Sequence, residues 1–463
     1  MLNYKIKIGL APCRRWLPGK RTGIFNPEYA RMNKTKVLAF LDANYAAEDV
    51  EFVNLDFLNE EGMMFDINQA QEIADRFAAE KVDALFIINC NFGSEEVACK
   101  VAKLVNKPTL LWGPRDDIFE VDGTRYTDAQ CGLFAISKGL QRFGIPFSYI
   151  ENCDIEADVF DTDFRKFLSV VTMLKNFRSL RIGQIGTRPK PFNSVICNEG
   201  ELIEKFGIEI VPINMAIVTQ EFNRCFKEYH DRLAGDIEDL KSKFDTEGIE
   251  QDMLERMMTF KYMYKSLAEQ YNLSLIATEC WTSMLIAVNA MPCTAMSLLA
   301  DEGLIVTCET DIMGAISMAL LSCASRGKSR PFFGEFTVRN PQNTNSELLW
   351  HCGPFPYSLK KPGYPANLPN NRPNFRLKDG KYTICRLDSL AGDYQLLAGK
   401  LKTCDGPKVI GTYIWAEFDS YAKWEKKLIY GPYIHHMAEI EGDYVAALEE
   451  FTRFEPNIRI DLA

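Results

Sequence analysis

Short apolar runs alternate with amphipathic segments over the first two thirds of the chain, and few folds accommodate this rhythm. Residues 4–11, 84–89 and 109–112 are predicted strands, and helical spacing of apolar residues separates them at 67–80 and 95–105. Alternation of this kind predicts parallel strands covered by helices on both faces. A chain of 463 residues is also too long for one core, so several domains are expected.

The remaining sequence divides into a second segment of the same kind and a different final third. A predicted helix at 158–179 leads to the strand LRIGQI, and further strands are predicted at 275–278 and 304–307. After Arg326, proline, glycine and asparagine separate β-rich runs such as FFGEFTV and YTICRL. The predicted class is therefore α/β, with two parallel-sheet domains, 1–176 and 177–326, and a mostly antiparallel, barrel-like domain, 327–463.

Composition and simple motifs exclude several functions. A net charge of -10 opposes nucleic acids and anionic membranes as partners. No signal sequence or run of about 20 apolar residues is evident, so a cytoplasmic location is expected. The cysteines are scattered without a CxxC pair, which favours reduced core thiols. RIGQIGTRP lacks the third glycine of a dinucleotide fingerprint and no Walker A motif occurs, so no nucleotide cofactor is expected.

Two acids follow predicted parallel strands of the second segment. Glu279 comes directly after LSLIAT, and Asp311 follows LIVT by the short segment CETD. Open parallel sheets bind ligands at the carboxyl ends of their strands, so both acids are candidate site residues. Asp311 also has the position of an N-cap for the helix IMGAISMALL, and Glu309 fits that structural role less well. The sequence leaves the capping alternative open.

Three of the four histidines lie in the last third of the chain, at His351, His435 and His436. Adjacent residues of an extended strand point to opposite faces, so one of His435 and His436 is expected at a site. For His351, a ligand role and a packing role are both compatible with the sequence. Two carboxylates with an imidazole favour an oxygen-preferring divalent cation, such as Mn²⁺ or Mg²⁺, over structural zinc.

A collinear set of motifs resembles the L-fucose and L-arabinose isomerase family. The set comprises LWGPRDD, TDAQCGLFAISKGL, RIGQIGTRPKPF, ECWTSM, PCTAMSLLADEG, CETDIMGAISMALL, HCGPFP and GPYIHHMAEIEGDY. Together they cover nearly the whole chain. The resemblance implies two Rossmann-like domains before a barrel-like domain, and an aldose–ketose isomerase that acts on a free sugar.

The same resemblance implies a Mn²⁺ or other divalent ion held by Glu279, Asp311 and His435, with His436 as the alternative histidine. The expected reaction passes through a cis-enediol, with Glu279 as the base and Asp311 as a ligand and second acid–base candidate. A homo-oligomer is also implied, in which the first domain of one subunit closes the active site of a neighbour. L-fucose, L-arabinose, another deoxysugar and an anionic hexose such as sulfoquinovose all stay open as substrates.

Substrate recognition is predicted from basic and aromatic residues. The segment APCRRWLPGKR has guanidinium groups suited to hydroxyls or an anionic substituent, and a solvated loop is the alternative. A non-enzymatic sugar-binding protein and a metal-dependent epimerase or lyase are the competing functions. The candidate substrate or metal residues are Arg14, Arg15, Trp16, Lys20, Arg21, Trp112, Arg115, Arg188, Trp281, His351 and His436.

Overall fold

The computed structural model describes residues 1–16, 25–46, 49–116, 119 and 121–463. Lys20 and Arg21, two of the predicted substrate residues, lie outside the described residues. The chain forms two compact units, an N-terminal unit of residues 4–175 and a C-terminal unit of residues 176–463 with 1–3. Among the helices of the described ranges, none is long and apolar enough to cross a bilayer.

The N-terminal unit contains a five-stranded parallel sheet with the strand order β2-β1-β3-β4-β5. Every residue of β3 is buried, as expected for the uninterrupted apolar run ALFIIN in a sheet covered on both faces. The strands are β1 (Ile6–Cys13), β2 (Val50–Val53), β3 (Ala84–Asn89), β4 (Thr109–Trp112) and β5 (Phe147–Tyr149). The helices are α1 (Pro27–Tyr45), α2 (Ala70–Ala79), α3 (Glu95–Val105), α4 (Ala129–Arg142) and α5 (Asp158–Phe177).

The C-terminal unit begins with a four-stranded parallel sheet in the order β7-β6-β8-β9. Helix α12 is buried along its whole length and packs against β8 and β9 of this sheet and against three strands of the barrel that follows. The strands are β6 (Arg181–Ile185), β7 (Glu209–Ile213), β8 (Leu275–Thr278) and β9 (Val306–Thr307). The helices are α6 (Glu199–Phe206), α7 (Met215–Glu228), α8 (His230–Lys243), α9 (Gln251–Gln270), α10 (Ser283–Val288), α11 (Cys293–Asp301) and α12 (Ile312–Ala324).

The last part of the C-terminal unit is a closed antiparallel barrel of six strands, β15-β11-β10-β16-β13-β14, sealed by the pairing of β14 with β15. Two further strands, β12 and β17, add to it in parallel. The strands are β10 (Phe332–Arg339), β11 (Ser346–His351), β12 (Phe375–Arg376), β13 (Lys381–Leu390), β14 (Asp393–Thr403), β15 (Thr412–Glu417), β16 (His436–Glu441) and β17 (Ile458–Leu462). Helices α13 (Tyr421–Tyr430) and α14 (Val445–Phe454) cover it.

The predicted fold class is confirmed: parallel sheets come first and an antiparallel barrel comes last. Several predicted elements differ at their ends: the strand predicted at 4–11 is Ile6–Cys13, and the helix predicted at 158–179 ends at Phe177. The strand predicted at 304–307 pairs only over Val306–Thr307, and the helix predicted from residue 67 begins at Ala70. Asp66 caps a separate single turn, Ile67–Gln69, which accounts for the later helix start. The domain boundaries at 176 and 326 stay predictions.

Two helical glycines form a matched pair for testing the packing of α12. A Cβ added to Gly314 would overlap the Phe333 ring, whereas one added to Gly235 in α8 would meet nothing within 4 Å. We expect Gly314→Ala to lower the free energy of unfolding by about 1–3 kcal/mol through overpacking. Gly235→Ala should raise it by about 0.5–1 kcal/mol through helix propensity. Urea unfolding followed by circular dichroism measures both, and equal effects would contradict the tight contact at Gly314.

Candidate active site

Four ionisable side chains converge within the C-terminal unit: Glu309, Glu335, His351 and His436, here called the carboxylate–imidazole cluster. Nε2 of His436 lies 3.1 Å from Oε2 of Glu309 and 3.5 Å from Oε1 of Glu335. The same Glu335 oxygen lies 3.6 Å from Nε2 of His351. Both imidazoles and Glu309 are buried, and the Glu335 side chain is 15% exposed. The cluster is therefore a compact group with one partly accessible member.

Three adjacent barrel strands position three members of the cluster. Glu335 of β10 is paired in register with Trp350 of β11 on one side and His436 of β16 on the other. His351 is the last residue of β11, next to Trp350. Directly paired residues have Cβ atoms about 4.5–5.5 Å apart, so the barrel register brings Glu335 and His436 together. His351 joins them from the end of β11, where the strand pairing stops.

Glu309 reaches the cluster from the parallel sheet, in the turn between β9 and α12. Glu309 and Thr310 both have left-handed backbone conformations, with φ of 64° and 56°. Such conformations cost about 1–3 kcal/mol each in residues other than glycine, so the surrounding structure must hold them. Thr310 is fixed by its amide, which donates to the Thr278 carbonyl at 3.1 Å, and by its hydroxyl, which donates to the Thr187 carbonyl at 3.2 Å. Strain at this turn marks it as a functional segment.

Three atoms of the cluster fit a bound cation. Among the residues that the structure describes, Oε2 of Glu309 and Nε2 of both His351 and His436 are buried without a hydrogen-bond partner. The 3.1 Å contact between Glu309 and His436 lacks the alignment of a hydrogen bond. Buried polar atoms without partners are costly, and a cation between them would satisfy all three at once. The residues present therefore fit a metal site.

The donor set indicates which kind of ion suits this site. Ligand atoms of Glu309, Glu335 and His351 lie within 4.8 Å of one another, and so do those of Glu335, His435 and His436. Carboxylate oxygen with imidazole nitrogen suits Mn²⁺ and similar first-row divalent ions. His435 is exposed and His436 is buried. His436 is therefore the histidine that the cluster encloses.

Asp311 contacts the cluster through His436. Its Oδ2 lies 2.9 Å from Nδ1 of His436, and the Arg386 guanidinium donates to both of its oxygens, at 2.6 Å and 3.1 Å. The Gly314 amide donates to Oδ1 at 2.8 Å, so the capping alternative is confirmed. Burial alone would raise the pKa of Asp311, but Arg386 and His436 hold it well below its ordinary value. Both oxygens of Asp311 are therefore engaged by neighbouring groups.

Glu279 lies at the carboxyl end of β8, as predicted, but outside the groups of potential metal ligands found among the described residues. Its carboxylate accepts hydrogen bonds from the Thr282 hydroxyl, from the Ser283 hydroxyl at 2.6 Å and from the Thr187 amide at 3.0 Å. Burial opposes ionisation, yet these hydrogen bonds lower the pKa of Glu279. Glu279 is therefore a fixed carboxylate held by neighbouring donors.

Of the other predicted residues in this unit, Trp281 is connected to the cluster through one aromatic ring. Phe192 links them, because its ring centroid is 6.1 Å from Trp281 and 6.2 Å from His436. Trp281 is 38% exposed and so presents an aromatic surface to solvent. The Arg188 guanidinium donates to the carbonyls of Pro189 and Lys190 at 3.5 Å and 3.4 Å.

Predicted substrate residues of the N-terminal unit have different environments. Arg14 is buried, pairs with Glu61 at 2.5 Å and 3.1 Å, and lies over the Phe65 ring. The Arg15 guanidinium lies over Phe92, 4.7 Å from the ring centroid. Trp16 and Arg115 are exposed, and Trp16 has 52% of its surface accessible.

Trp112 is fully buried and packs against Phe86 and Phe160 with centroid distances of 6.4 Å and 4.8 Å. Its role in this unit is that of a core residue, because no part of its surface is accessible.

Comparisons with known proteins find sugar isomerases similar to this chain. Residues 17–178 match the family described as fucose/sulfoquinovose isomerase, N-terminal domain. The chain is 25% identical to a sulfoquinovose isomerase of Priestia aryabhattai over 444 residues, which is 94% of this chain and 95% of the relative. It is 27% identical to a sulfoquinovose isomerase of Alkalicoccus urumqiensis over 334 residues, or 70% and 73% of the two chains.

The resemblance to the fucose isomerase-like sugar isomerases is thereby confirmed. The chain is an enzyme of the aldose–ketose isomerase class.

Proposed function

We propose that this enzyme is a metal-dependent isomerase that converts free sulfoquinovose, an anionic aldose, to its ketose through a cis-enediol. The observation that carries the metal dependence is the convergence of three buried, unpartnered ligand atoms of Glu309, His351 and His436 beside Glu335. The choice of substrate is supported by the relatives, which are named for sulfoquinovose and match most of this chain.

In this proposal Glu309, Glu335, His351 and His436 hold the ion. A bound divalent cation would polarise the sugar O1 and O2 and so acidify the proton on C2. The Asp311 carboxylate accepts the Nδ1 proton of His436 and leaves Nε2 directed at the cluster. Arg386 keeps Asp311 ionised and in place. This set replaces the ligands Glu279, Asp311 and His435 that were expected from the family resemblance.

The proton shuttle needs a carboxylate that a sugar can reach. Glu335 is the partly accessible member of the cluster, and His351 and His436 lower its pKa although burial opposes ionisation. We therefore propose that Glu335 takes the proton from C2 and returns it to C1. O1 gains a proton as the enediol forms, and O2 loses one as the ketose forms. Glu279, the base expected from the resemblance, is the alternative carrier.

Recognition of the sulfonate is assigned to an arginine and a neighbouring tryptophan of the N-terminal unit. Arg15 and Trp16 follow β1 in the N-terminal unit, and Trp16 is available to contact a ligand because it is half exposed. In a homo-oligomer, the arrangement implied by the family resemblance, these residues of one subunit would close the site of another. Guanidinium groups suit the tetrahedral oxyanion of a sulfonate.

Metal-stripped and Mn²⁺-reloaded protein, incubated in D₂O with sulfoquinovose, tests the proposed function. We expect only the reloaded protein to form ketose, with solvent deuterium at C1 detected by NMR, because the proton passes through an exchangeable carboxylate. Glucose, which carries a hydroxyl in place of the sulfonate, is the matched neutral substrate and should react more slowly. Equal turnover by the stripped and the reloaded protein would contradict the metal role. No turnover of any sugar would favour a non-enzymatic sugar-binding protein.

A further inference from the structure

Four cysteine thiols gather beside the carboxylate–imidazole cluster: Cys280, Cys293, Cys308 and Cys352, here called the thiol cluster. Sγ of Cys293 lies 3.7 Å from Sγ of Cys352. The ligand atoms of Cys308 and Cys352 lie within 4.8 Å of each other, and the neighbouring Cys280 and Cys352, together with burial, raise the pKa of the Cys308 thiol. These contacts connect the four sulfurs into one group.

The four cysteines come from four separate segments of the C-terminal unit. Cys280 follows β8 by two residues, Cys308 directly follows β9, Cys293 begins α11 and Cys352 directly follows β11. The first three are buried, with at most 1% of their surface exposed, and Cys352 is partly exposed. The fold therefore assembles the sulfurs from distant positions and leaves one of them accessible to an incoming ion.

The spacing of the sulfurs suits tetrahedral coordination. A Zn–S bond is about 2.3 Å long, so two sulfurs of a tetrahedral site lie about 3.8 Å apart. The Cys293–Cys352 separation of 3.7 Å has this length. In addition, the ligand atoms of Cys308, His351 and Cys352 all lie within 4.8 Å of one another. Sulfur ligands select thiophilic ions over the oxygen-preferring ions that suit carboxylates.

We propose that the thiol cluster is a second metal site, specific for a thiophilic divalent cation such as Zn²⁺, in which Cys293, Cys308 and Cys352 are ligands. Cys280, which also raises the pKa of the Cys308 thiol, is the candidate for a fourth sulfur ligand. This site is separate in composition from the carboxylate–imidazole cluster, since it contains none of the carboxylates. The proposal does not depend on isomerase activity.

His351 stands between the two sites. Its Nε2 faces Glu335 at 3.6 Å, and its Nδ1 lies 3.3 Å from Sγ of Cys352. The Cys352 amide also donates a hydrogen bond to Nδ1 of His351 at 2.9 Å, so Cys352 contacts this nitrogen through both its backbone and its sulfur. Occupation of the thiol cluster would withdraw Cys352 from this contact. Zn²⁺ at the thiols is therefore expected to alter how His351 is oriented toward the other cluster.

Cadmium titration of the reduced, full-length protein tests the second site. The protein is stripped of metal, loaded with Mn²⁺ and titrated with Cd²⁺ while sulfur-to-cadmium charge-transfer absorption is recorded in the ultraviolet. This absorption reports only sulfur-bound cadmium, so ions at the carboxylates do not contribute. We expect the absorption to saturate at one Cd²⁺ per chain and to be lost in Cys293→Ala and Cys308→Ala.

Cys323→Ala is the matched control, because Cys323 is equally buried but lies in α12 outside the thiol cluster. It should keep the full cadmium signal. If an alanine variant of the cluster fails to fold, the visible spectrum of Co²⁺-loaded unmodified protein decides instead, since tetrahedral sulfur coordination gives intense bands. Absence of stoichiometric charge-transfer absorption in the unmodified protein, or an unchanged signal in Cys293→Ala, would overturn the proposal.

Discussion

Glu335→Gln should lower kcat for ketose formation by about 10²–10⁴-fold, the usual contribution of a positioned acid–base group. The change keeps the shape of the side chain but removes the charge that faces His351 and His436 at 3.6 Å and 3.5 Å. Mn²⁺ affinity should fall as well, because one carboxylate ligand becomes a neutral amide. Steady-state kinetics and calorimetric Mn²⁺ titration measure the two effects separately.

Glu347→Gln is the matched control for this prediction, since Glu347 is a buried glutamate on the adjacent strand β11 and does not belong to the cluster. It should retain turnover and Mn²⁺ binding. Glu279→Gln separates the two candidate bases. If Glu279→Gln loses all deuterium incorporation while Glu335→Gln keeps normal turnover at saturating Mn²⁺, the shuttle is Glu279 and the proposed role of Glu335 is wrong.

Arg386→Met should lower the free energy of unfolding by about 3–5 kcal/mol, because it removes the cation from a buried charge network. Arg386 is fully buried and donates to Asp311 and to Asp388, the latter at 2.9 Å. Without it, both carboxylates would be left inside the protein without their counter-charge. Urea unfolding of the metal-free protein measures the loss independently of any ion.

Arg181→Met provides the comparison, since Arg181 pairs with Glu209 at the surface, where the two side chains are 34% and 46% exposed. Exposed ion pairs contribute about 0–1 kcal/mol, so this variant should be nearly as stable as the original protein. Adding Asp311→Asn to Arg386→Met should recover part of the lost stability by removing one unpaired charge. Equal losses in Arg181→Met and Arg386→Met would contradict the buried network.

The fold was largely predictable because its signals are local. The strand predicted at 275–278 is β8 (Leu275–Thr278) residue for residue, and the predicted 109–112 is β4 (Thr109–Trp112). Both are short apolar runs bounded by polar residues, which need no knowledge of distant partners. Helix α1 (Pro27–Tyr45) was not anticipated. Its buried residues Ala30, Val37, Leu41 and Tyr45 share one face, but exposed apolar residues such as Met32 obscure that stripe in the sequence.

The site was predictable only in part, because strand register assembles it. Glu279, Glu309 and Asp311 all follow parallel strands, and position alone could not distinguish the three. Glu309, in the left-handed turn, is the acid that joins the carboxylate–imidazole cluster, and the sequence CETD contains no signal for this turn. A signal for Glu335 did exist: a charged residue within the apolar run FFGEFTV is unusual unless it is paired or functional.

Arg386 in YTICRL carries the same signal. Its pairing with Asp311, 75 residues away in sequence, depends on how the barrel closes around α12. Such long-range contacts have no local sequence pattern. The contacts of Arg386 and Asp311 with each other and with His436 could therefore be identified only from the structure.

The carboxylate–imidazole cluster takes one member from the parallel-sheet segment and three from the barrel, so an ion bound there would fasten two parts of one unit together. A ligand that binds only the folded state raises the free energy of unfolding by about 2.7 kcal/mol at a hundred times its Kd. Manganese supply would then govern how long each molecule survives proteolysis as well as how fast it turns over. A cell starved of the metal would then contain fewer molecules of the enzyme, in addition to having less activity per molecule.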